Sequence, residues 1–109
     1  MRWLSFLRDG RATWGYVTRD GVGVVDVGAR GGPADLKAAI ATDALAGLAA
    51  RHGDTADLPL AGLENLPPIP NPDKILCVGL NYKAHQEETG RGGEGYPTIF
   101  VRFANAQVA

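Results

Sequence analysis

The sequence contains little cysteine, little net charge and no long hydrophobic run. Its single cysteine, Cys77, excludes an internal disulfide, so we expect a cytoplasmic protein. The formal net charge of −1 excludes a strongly basic surface, so neither nucleic acid nor an anionic membrane is an expected partner. No apolar run approaches the roughly 18 residues that cross a bilayer. The N-terminal segment "MRWLSFLRDG" lacks the pattern of a secretory leader, and we expect none.

Glycine is abundant, with 15 residues placed mostly at turns, which indicates short elements and not long helices. Three strands are predicted, because three segments are rich in apolar or β-branched residues: Trp3–Leu7, Ala12–Thr18 and Val22–Val27. The dipeptides Asp9-Gly10 and Asp20-Gly21 between them tolerate the positive φ of tight hairpin turns. The first part of the chain is therefore predicted to be a β-meander.

A three-stranded sheet of this kind needs cover on one face. Alternation in the second predicted strand places Trp14 and Tyr16 on one face. Pro33 suits the first turn of a helix, because its missing N–H costs nothing there. Leu36 and Ile40 lie four residues apart and are predicted to share the buried side of that helix.

A second short helix is predicted to follow the first. Thr42 or Asp43 can cap its N-terminus, and Gly53 is typical of a helix end. His52 then lies in the last helical turn, where a cation is mildly favoured. We expect His52 to face solvent and to have no catalytic role.

The composition changes in the segment from Leu58 to Asp73, where five prolines disfavour a helix or a central strand. We interpret the chain as α+β, with a small N-terminal domain at residues 1–66 and a proline-rich linker at 67–73. Residues 74–109 would begin a second domain. A segment of that size cannot bury a core alone, so we expect a partner or a larger domain to complete it.

The segment "ILCVGLNYKAHQEET" carries the chemistry-bearing residues of the chain. Lys74–Val78 predicts a strand that is buried on both sides, and Gly79 ends it. If the chain turns helically after this glycine, His85 and Glu88 share one face, because they lie three residues apart. The carboxylate can orient the imidazole for proton transfer. The same spacing also suits two metal ligands or a surface pair without function.

A glycine-rich loop, "GRGGEGYP", separates this segment from a second apolar strand, "TIFVRF". The loop lacks the Gly-Lys-Ser/Thr ending of a phosphate loop. A lid is one interpretation, and an ordinary surface loop is the other. We predict that residues 83–96 become ordered only around a ligand. Arg102 within the second strand either meets an anionic ligand or faces solvent.

These residues closely resemble the opening of the catalytic domain in the fumarylacetoacetate hydrolase family. The resemblance rests on "GLNYKAHQEE" joined to "PTIFVR" at this distance, and the preceding segment is similar to the small N-terminal domain of bacterial members. It implies a mixed β catalytic domain that acts on 2-oxo or 1,3-dicarbonyl acids by C–C hydrolysis, decarboxylation or isomerisation, as in aromatic catabolism. It also implies catalytic roles for His85 and Glu88 and substrate-binding positions at Tyr82 and Arg102.

The resemblance further implies a divalent cation, usually Mg²⁺, and a homodimer. The family's metal ligands are carboxylates of an E-x-E motif and a later Asp, and no residue before Ala109 matches them. We therefore expect these ligands downstream, and we expect the 109 residues alone to be an inactive N-terminal part of an enzyme. The alternative is a non-catalytic binding or assembly module.

Overall fold

The computed structural model describes residues 1–79 and 98–109, which form two compact units. The first unit comprises Met1–Asn71 with Gln107–Ala109, and the second comprises Pro72–Ala106. The first unit contains a curled five-stranded antiparallel sheet, an open half-barrel, with two short helices. Its strands are β1 (Trp3–Arg8), β2 (Arg11–Val17), β3 (Gly23–Asp26), β4 (Leu58–Pro59) and β5 (Glu64–Leu66), in the order β4-β3-β2-β1-β5.

The predicted β-meander is confirmed, and its first turn shows why it forms. Asp9 and Gly10 both have positive φ, at 52° and 75°, which matches the right-handed twist of the flanking strands. At the second turn Gly21 has a φ of 80°, and the carboxylate of Asp20 accepts hydrogen bonds from Thr18 Oγ1 and from the Val22 N–H. Both turns thus follow from residues that tolerate the backbone conformation and satisfy its polar groups.

The proline-containing segment adds two edge strands that the sequence analysis did not predict. Strand β4 pairs with β3 on one side of the sheet, and β5 pairs with β1 on the other. Both strands are short and lie at an edge, where Pro59 removes no hydrogen bond that a second neighbour would need. Short edge strands of this kind also limit pairing with other chains.

The core of the first unit lies between the sheet and helices α1 (Leu36–Ala41) and α2 (Leu45–His52). The prediction that Trp14 and Tyr16 share one face is confirmed, since both are buried in the same cluster. Trp3 packs on this pair, with ring centroids 5.8 Å from Trp14 and 5.0 Å from Tyr16. The other buried members of the cluster are Val25, Val27, Leu36, Ala39 and Leu48.

The predicted start of the first helix is wrong. Pro33 precedes α1, and Asp35 is the N-cap, because its carboxylate accepts the Ala38 N–H at 2.7 Å. Leu36 is buried as predicted, but Ile40 is 50% exposed. Leu36 and Ala39 form the buried side instead, since helical residues three apart also share a face.

The predicted cap of the second helix is also wrong, whereas its predicted end is confirmed. Thr42 caps the C-terminus of α1, and α2 follows Ala44, which makes no side-chain capping hydrogen bond. Gly53 ends α2 with a φ of 70°. Neither helix in the described ranges is long and apolar enough to cross a membrane.

The second unit contains strands β6 (Ile75–Gly79) and β7 (Thr98–Arg102), which pair antiparallel, and a 3₁₀ turn at Ala104–Ala106. The prediction that the first of these strands is buried on both sides is wrong, because Leu76 and Val78 are 64% and 46% exposed. Their cross-strand partners Val101 and Ile99 are exposed as well. A two-stranded sheet has too few neighbours to bury a face by itself.

Candidate functional site

The register of β6 and β7 defines where the predicted His-Glu segment joins the fold. Gly79 and Thr98 are cross-strand partners, so the chain leaves β6 and enters β7 at the same end of the hairpin. The predicted site residues Tyr82, His85 and Glu88, and the predicted lid at residues 83–96, lie outside the described residues. Their assigned roles therefore stay predictions, and the described structure supplies their attachment points.

Arg102 lies at the opposite end of the hairpin from those attachment points. It pairs with Ile75, four residues along β7 from Thr98, which corresponds to about 13 Å of extended strand. Its side chain is exposed, and Nη2 donates a hydrogen bond of 2.6 Å to the carbonyl of Ala106. This bond holds the 3₁₀ turn against the end of the strand. A substrate contact by Arg102 stays a prediction.

A buried carboxylate organises one end of the first unit. Asp26 is fully buried, and three donors surround its side chain: Thr13 Oγ1 at 2.7 Å, the Ala29 N–H at 2.9 Å and Arg8 Nη1 at 3.0 Å. The carboxylate raises the pKa of the Arg8 guanidinium, chiefly through this hydrogen bond. Since an unpaired buried charge is costly, these donors are what allow Asp26 to end β3 inside the protein.

Arg30 ties the segment after α2 to the sheet. Its guanidinium donates to the carbonyl of His52, to the carbonyl of Thr55 and to Asp57 Oδ1, each at 2.8 Å. The other carboxylate oxygen of Asp57 accepts the backbone N–H of Asp26 at 2.8 Å. Burial alone would raise the pKa of Asp57, but the hydrogen bonds from Arg30 and from that N–H lower it below its ordinary value.

His52 does not have the environment that the sequence suggested. We expected a solvent-facing cation, yet the side chain is partly buried, and Nε2 is buried without a hydrogen-bond partner in the described structure. Burial lowers the pKa of His52, and the positive charges of Arg30 and Arg51 lower it further, against a smaller opposite effect of Asp57. The expectation is therefore wrong, because tertiary packing outweighs the helix C-terminus.

The described residues do not fit a metal centre. No group of three or more His, Cys, Asp or Glu side chains within residues 1–79 and 98–109 lies close enough together to hold an ion. The Asp26 carboxylate is already surrounded by donors, which a cation would have to displace. Cys77 is a partly buried free thiol.

Comparison with known proteins finds relatives that match about half of this chain. "Oxaloacetate tautomerase Fahd2a, mitochondrial" of Rattus norvegicus is 39% identical over 62 residues, which is 54% of this chain. "Oxaloacetate tautomerase FAHD2A, mitochondrial" of Bos taurus is 41% identical over 51 residues, or 47% of this chain, and its Homo sapiens counterpart is 39% identical over 51. This chain has partial homology to oxaloacetate tautomerases of the fumarylacetoacetate hydrolase family.

The predicted resemblance to the fumarylacetoacetate hydrolase family is thus confirmed at the level of partial homology. The matched stretches span 20% of the rat relative and 16% of the bovine relative. The homologues are tautomerases, a kind of isomerase, and members of the family typically use divalent metals. No family model matches the chain. No solved structure matches it either.

Asp26 and Arg30 organise the polar end of the first unit, and neither was among the residues predicted from the sequence. One local signal was present for Asp26, since it interrupts the apolar run "VVDV" of a predicted strand. A charge in such a run requires partners. No local signal was present for Arg30, because its acceptors lie 22 to 27 residues further along the chain.

Proposed function

We propose that this chain contributes the His-Glu segment of a fumarylacetoacetate hydrolase-family enzyme that interconverts the keto and enol forms of oxaloacetate or a similar 2-oxo acid. The observation that carries the proposal is the 39–41% identity to oxaloacetate tautomerases of three mammals. Isomerisation is the activity among those the resemblance implies that agrees with the relatives' names. Hydrolysis and decarboxylation of related acids are the other members of that set.

The proposed fold around this segment is the mixed β catalytic domain of the family, with β6 and β7 as its first two strands. Exposed apolar side chains support this proposal. Leu76, Val78, Ile99 and Val101 form cross-strand pairs on one face of the hairpin, and each is 46–64% exposed. Such a face is stable in water only when further polypeptide covers it.

In the proposed reaction His85 takes a proton from the carbon next to the keto group, and a proton is returned to the keto oxygen to form the enol. Glu88 orients the imidazole and favours its protonated form after the transfer. Tyr82 positions the segment. Arg102, at the other end of the hairpin, exchanges its hydrogen bond to the Ala106 carbonyl for a substrate carboxylate in this proposal.

The divalent cation that the family typically uses is Mg²⁺ in this proposal. The described residues offer no cluster for it. We propose that its ligands are carboxylates downstream of Ala109, as the resemblance to the family implies.

The test is proton transfer by the intact protein that carries this chain. Oxaloacetate prepared as the enol is mixed with the protein, and the decay of enol absorbance is followed. His85→Ala and Glu88→Gln should lower kcat by about 100-fold or more, the usual contribution of a proton-transferring side chain. Glu87→Gln, which removes a neighbouring carboxylate, should leave kcat within about twofold. Unchanged kcat in both the His85 and Glu88 variants would refute the proposed roles.

A non-catalytic assembly module is the second candidate. The observation that favours it is the same exposed apolar face, since exposed patches also mark protein-protein contacts.

We also propose a homodimer for the enzyme. Light scattering coupled to size-exclusion chromatography distinguishes these cases. An active dimer supports the enzyme, whereas an assembly that lacks tautomerase activity supports the module.

A further inference from the structure

A cavity of about 640 Å³ lies in the first unit, between the β1–β2 turn and the loop after β3. Its volume is in the range of small-molecule sites. The turn contributes Arg8, Asp9 and Arg11, and the loop contributes Gly28, Ala29 and Pro33 among other residues. Buried Asp26 also lines it. None of these residues belongs to the proposed His-Glu site.

Two arginines face the same side of the sheet at this cavity. Arg8 and Arg11 are cross-strand partners on the last rung of the β1–β2 hairpin, and such partners have Cβ atoms roughly 5 Å apart. Like charges at this distance destabilise a hairpin unless something neutralises them. Asp26 accepts one N–H of Arg8, at 3.0 Å from Nη1. The side chain of Arg11 forms no hydrogen bond or ion pair in the part of the chain that the structure describes.

The walls of the cavity are held in place before any ligand binds. Asp26 Oδ1 accepts both Thr13 Oγ1 and the Ala29 N–H, which fixes the loop to β2. Trp14 Nε1 donates to the carbonyl of Pro33 at 2.9 Å, on the far side of the loop. A Cβ on Gly28 would overlap Thr13 Oγ1, so this backbone approaches the strand as closely as glycine allows. A preformed wall lowers the entropic cost of binding.

The charges of the lining restrict the ligand class. The guanidinium of Arg11 offers a planar pair of donors, which matches a carboxylate. Asp9 beside it is an acceptor and repels a ligand of high negative charge. Ala12, Pro33 and Ala34 add a small apolar surface. A monocarboxylate with a short carbon skeleton and a hydrogen-bond donor fits this lining better than phosphate does.

We propose that this cavity is a binding site for a small hydroxy- or amino-monocarboxylate, with its carboxylate on the free guanidinium of Arg11 and its donor group on Asp9. The proposal rests on residues of the first unit alone, so its test is independent of the proposed tautomerase activity. A ligand bound there neutralises the second arginine of the rung and stabilises the hairpin turn.

The test is a titration of the ¹⁵N-labelled protein with sodium L-lactate at constant ionic strength. The amide signals of Gly28 and Ala29 should shift and saturate. Arg11→Gln should raise the Kd for lactate at least fivefold. Arg11→Lys should raise the Kd less, because lysine keeps the charge but lacks the planar pair of donors. Arg19→Gln, which removes an exposed arginine that does not line this cavity, should leave the Kd unchanged.

The variants at Arg11 are expected to fold, since its side chain is exposed and makes no contact that the fold needs. Unchanged tryptophan fluorescence of the unliganded variants checks this. Three results would overturn the proposal: no saturable shift with lactate, equal affinity in Arg11→Gln, or inorganic phosphate binding as tightly as lactate.

Discussion

Tyr16, in strand β2, donates its phenolic hydroxyl to the carbonyl of Gly53, the residue that ends helix α2, over 2.5 Å. The ring is fully buried, and burial raises the pKa of the hydroxyl, which therefore stays a donor. One hydrogen bond thus links the sheet to the C-terminal end of α2. This helix has no side-chain cap at its N-terminus.

Tyr16→Phe should lower the free energy of unfolding by about 1 kcal/mol, the usual net contribution of such a bond. Gly53 is an exposed residue, so we expect water to replace the lost donor and the loss to be no larger. Urea denaturation followed by tryptophan fluorescence measures the change, because Trp3 packs on Tyr16 and Trp14 belongs to the same buried cluster. An unchanged midpoint would show that the bond contributes nothing to stability.

Gly15→Ala should prevent stable folding of the first unit, with a loss of roughly 3 kcal/mol or more. A Cβ at this position in β2 would overlap the backbone carbonyl of Val25 in β3, which cannot move without breaking the sheet. Gly47→Ala is the matched control. Gly47 lies within α2 with open space around it, so alanine should stabilise the protein by about 0.5–1 kcal/mol. Thermal melting of both variants checks the pair, and similar melting temperatures would contradict it.

Asp26→Asn should lower the free energy of unfolding by about 2 kcal/mol, because it removes the negative charge opposite Arg8 and turns one acceptor into a donor. The partly exposed position of Arg8 keeps the loss below that of a fully buried pair. Asp9→Asn makes the same chemical change at the neighbouring turn, where asparagine also tolerates positive φ. Its effect should stay within about 0.5 kcal/mol. Urea denaturation at neutral pH compares the two, and equal effects would refute the role of Asp26.

We predict that the protein loses stability in mild acid, because protonation of His52 favours the unfolded chain. Its folded pKa is lowered from the ordinary value of about 6.5, so the unfolded chain binds more protons than the folded one in this range. The contribution of His52 to the free energy of unfolding is therefore fully present above about pH 6.5 and decreases as the pH falls below that value. Asp20, Asp35 and Asp57 also have lowered pKa values, so their contributions are lost only at lower pH, below about 4.

Urea midpoints measured between pH 7.5 and 5 should decrease for the natural protein. In His52→Leu this decrease should shrink, because the titrating group is gone and the buried Nε2 is replaced by an apolar side chain. An equal decrease in both proteins would assign the pH dependence to other groups.

The elements predicted well from the sequence are those set by residues close together in the chain. The Asp9-Gly10 turn, the shared face of Trp14 and Tyr16, and the helix end at Gly53 depend on local φ preferences and on two-residue alternation. The helix starts were predicted less well. Thr42 and Asp35 are both capping residue types, and which of them caps an N-terminus depends on where the chain packs.

Some features of the candidate site were also visible in the sequence, whereas others depend on the tertiary structure. The spacing of His85 and Glu88 and the motif around them were visible in the sequence, and their roles stay predictions. The partial homology to tautomerases confirms the resemblance to the family. The tertiary structure decided features that no local pattern encodes: the pairing of Gly79 with Thr98, the buried Nε2 of His52 and the donors around Asp26.

The sequence by itself therefore determined the three strands of the meander, their turns and the order of the chemical groups, because short-range sterics and alternation act between neighbours. Only the tertiary structure decided which charges are buried, which edges are paired and which apolar face stays uncovered, because burial and charge pairing depend on residues far apart in the chain.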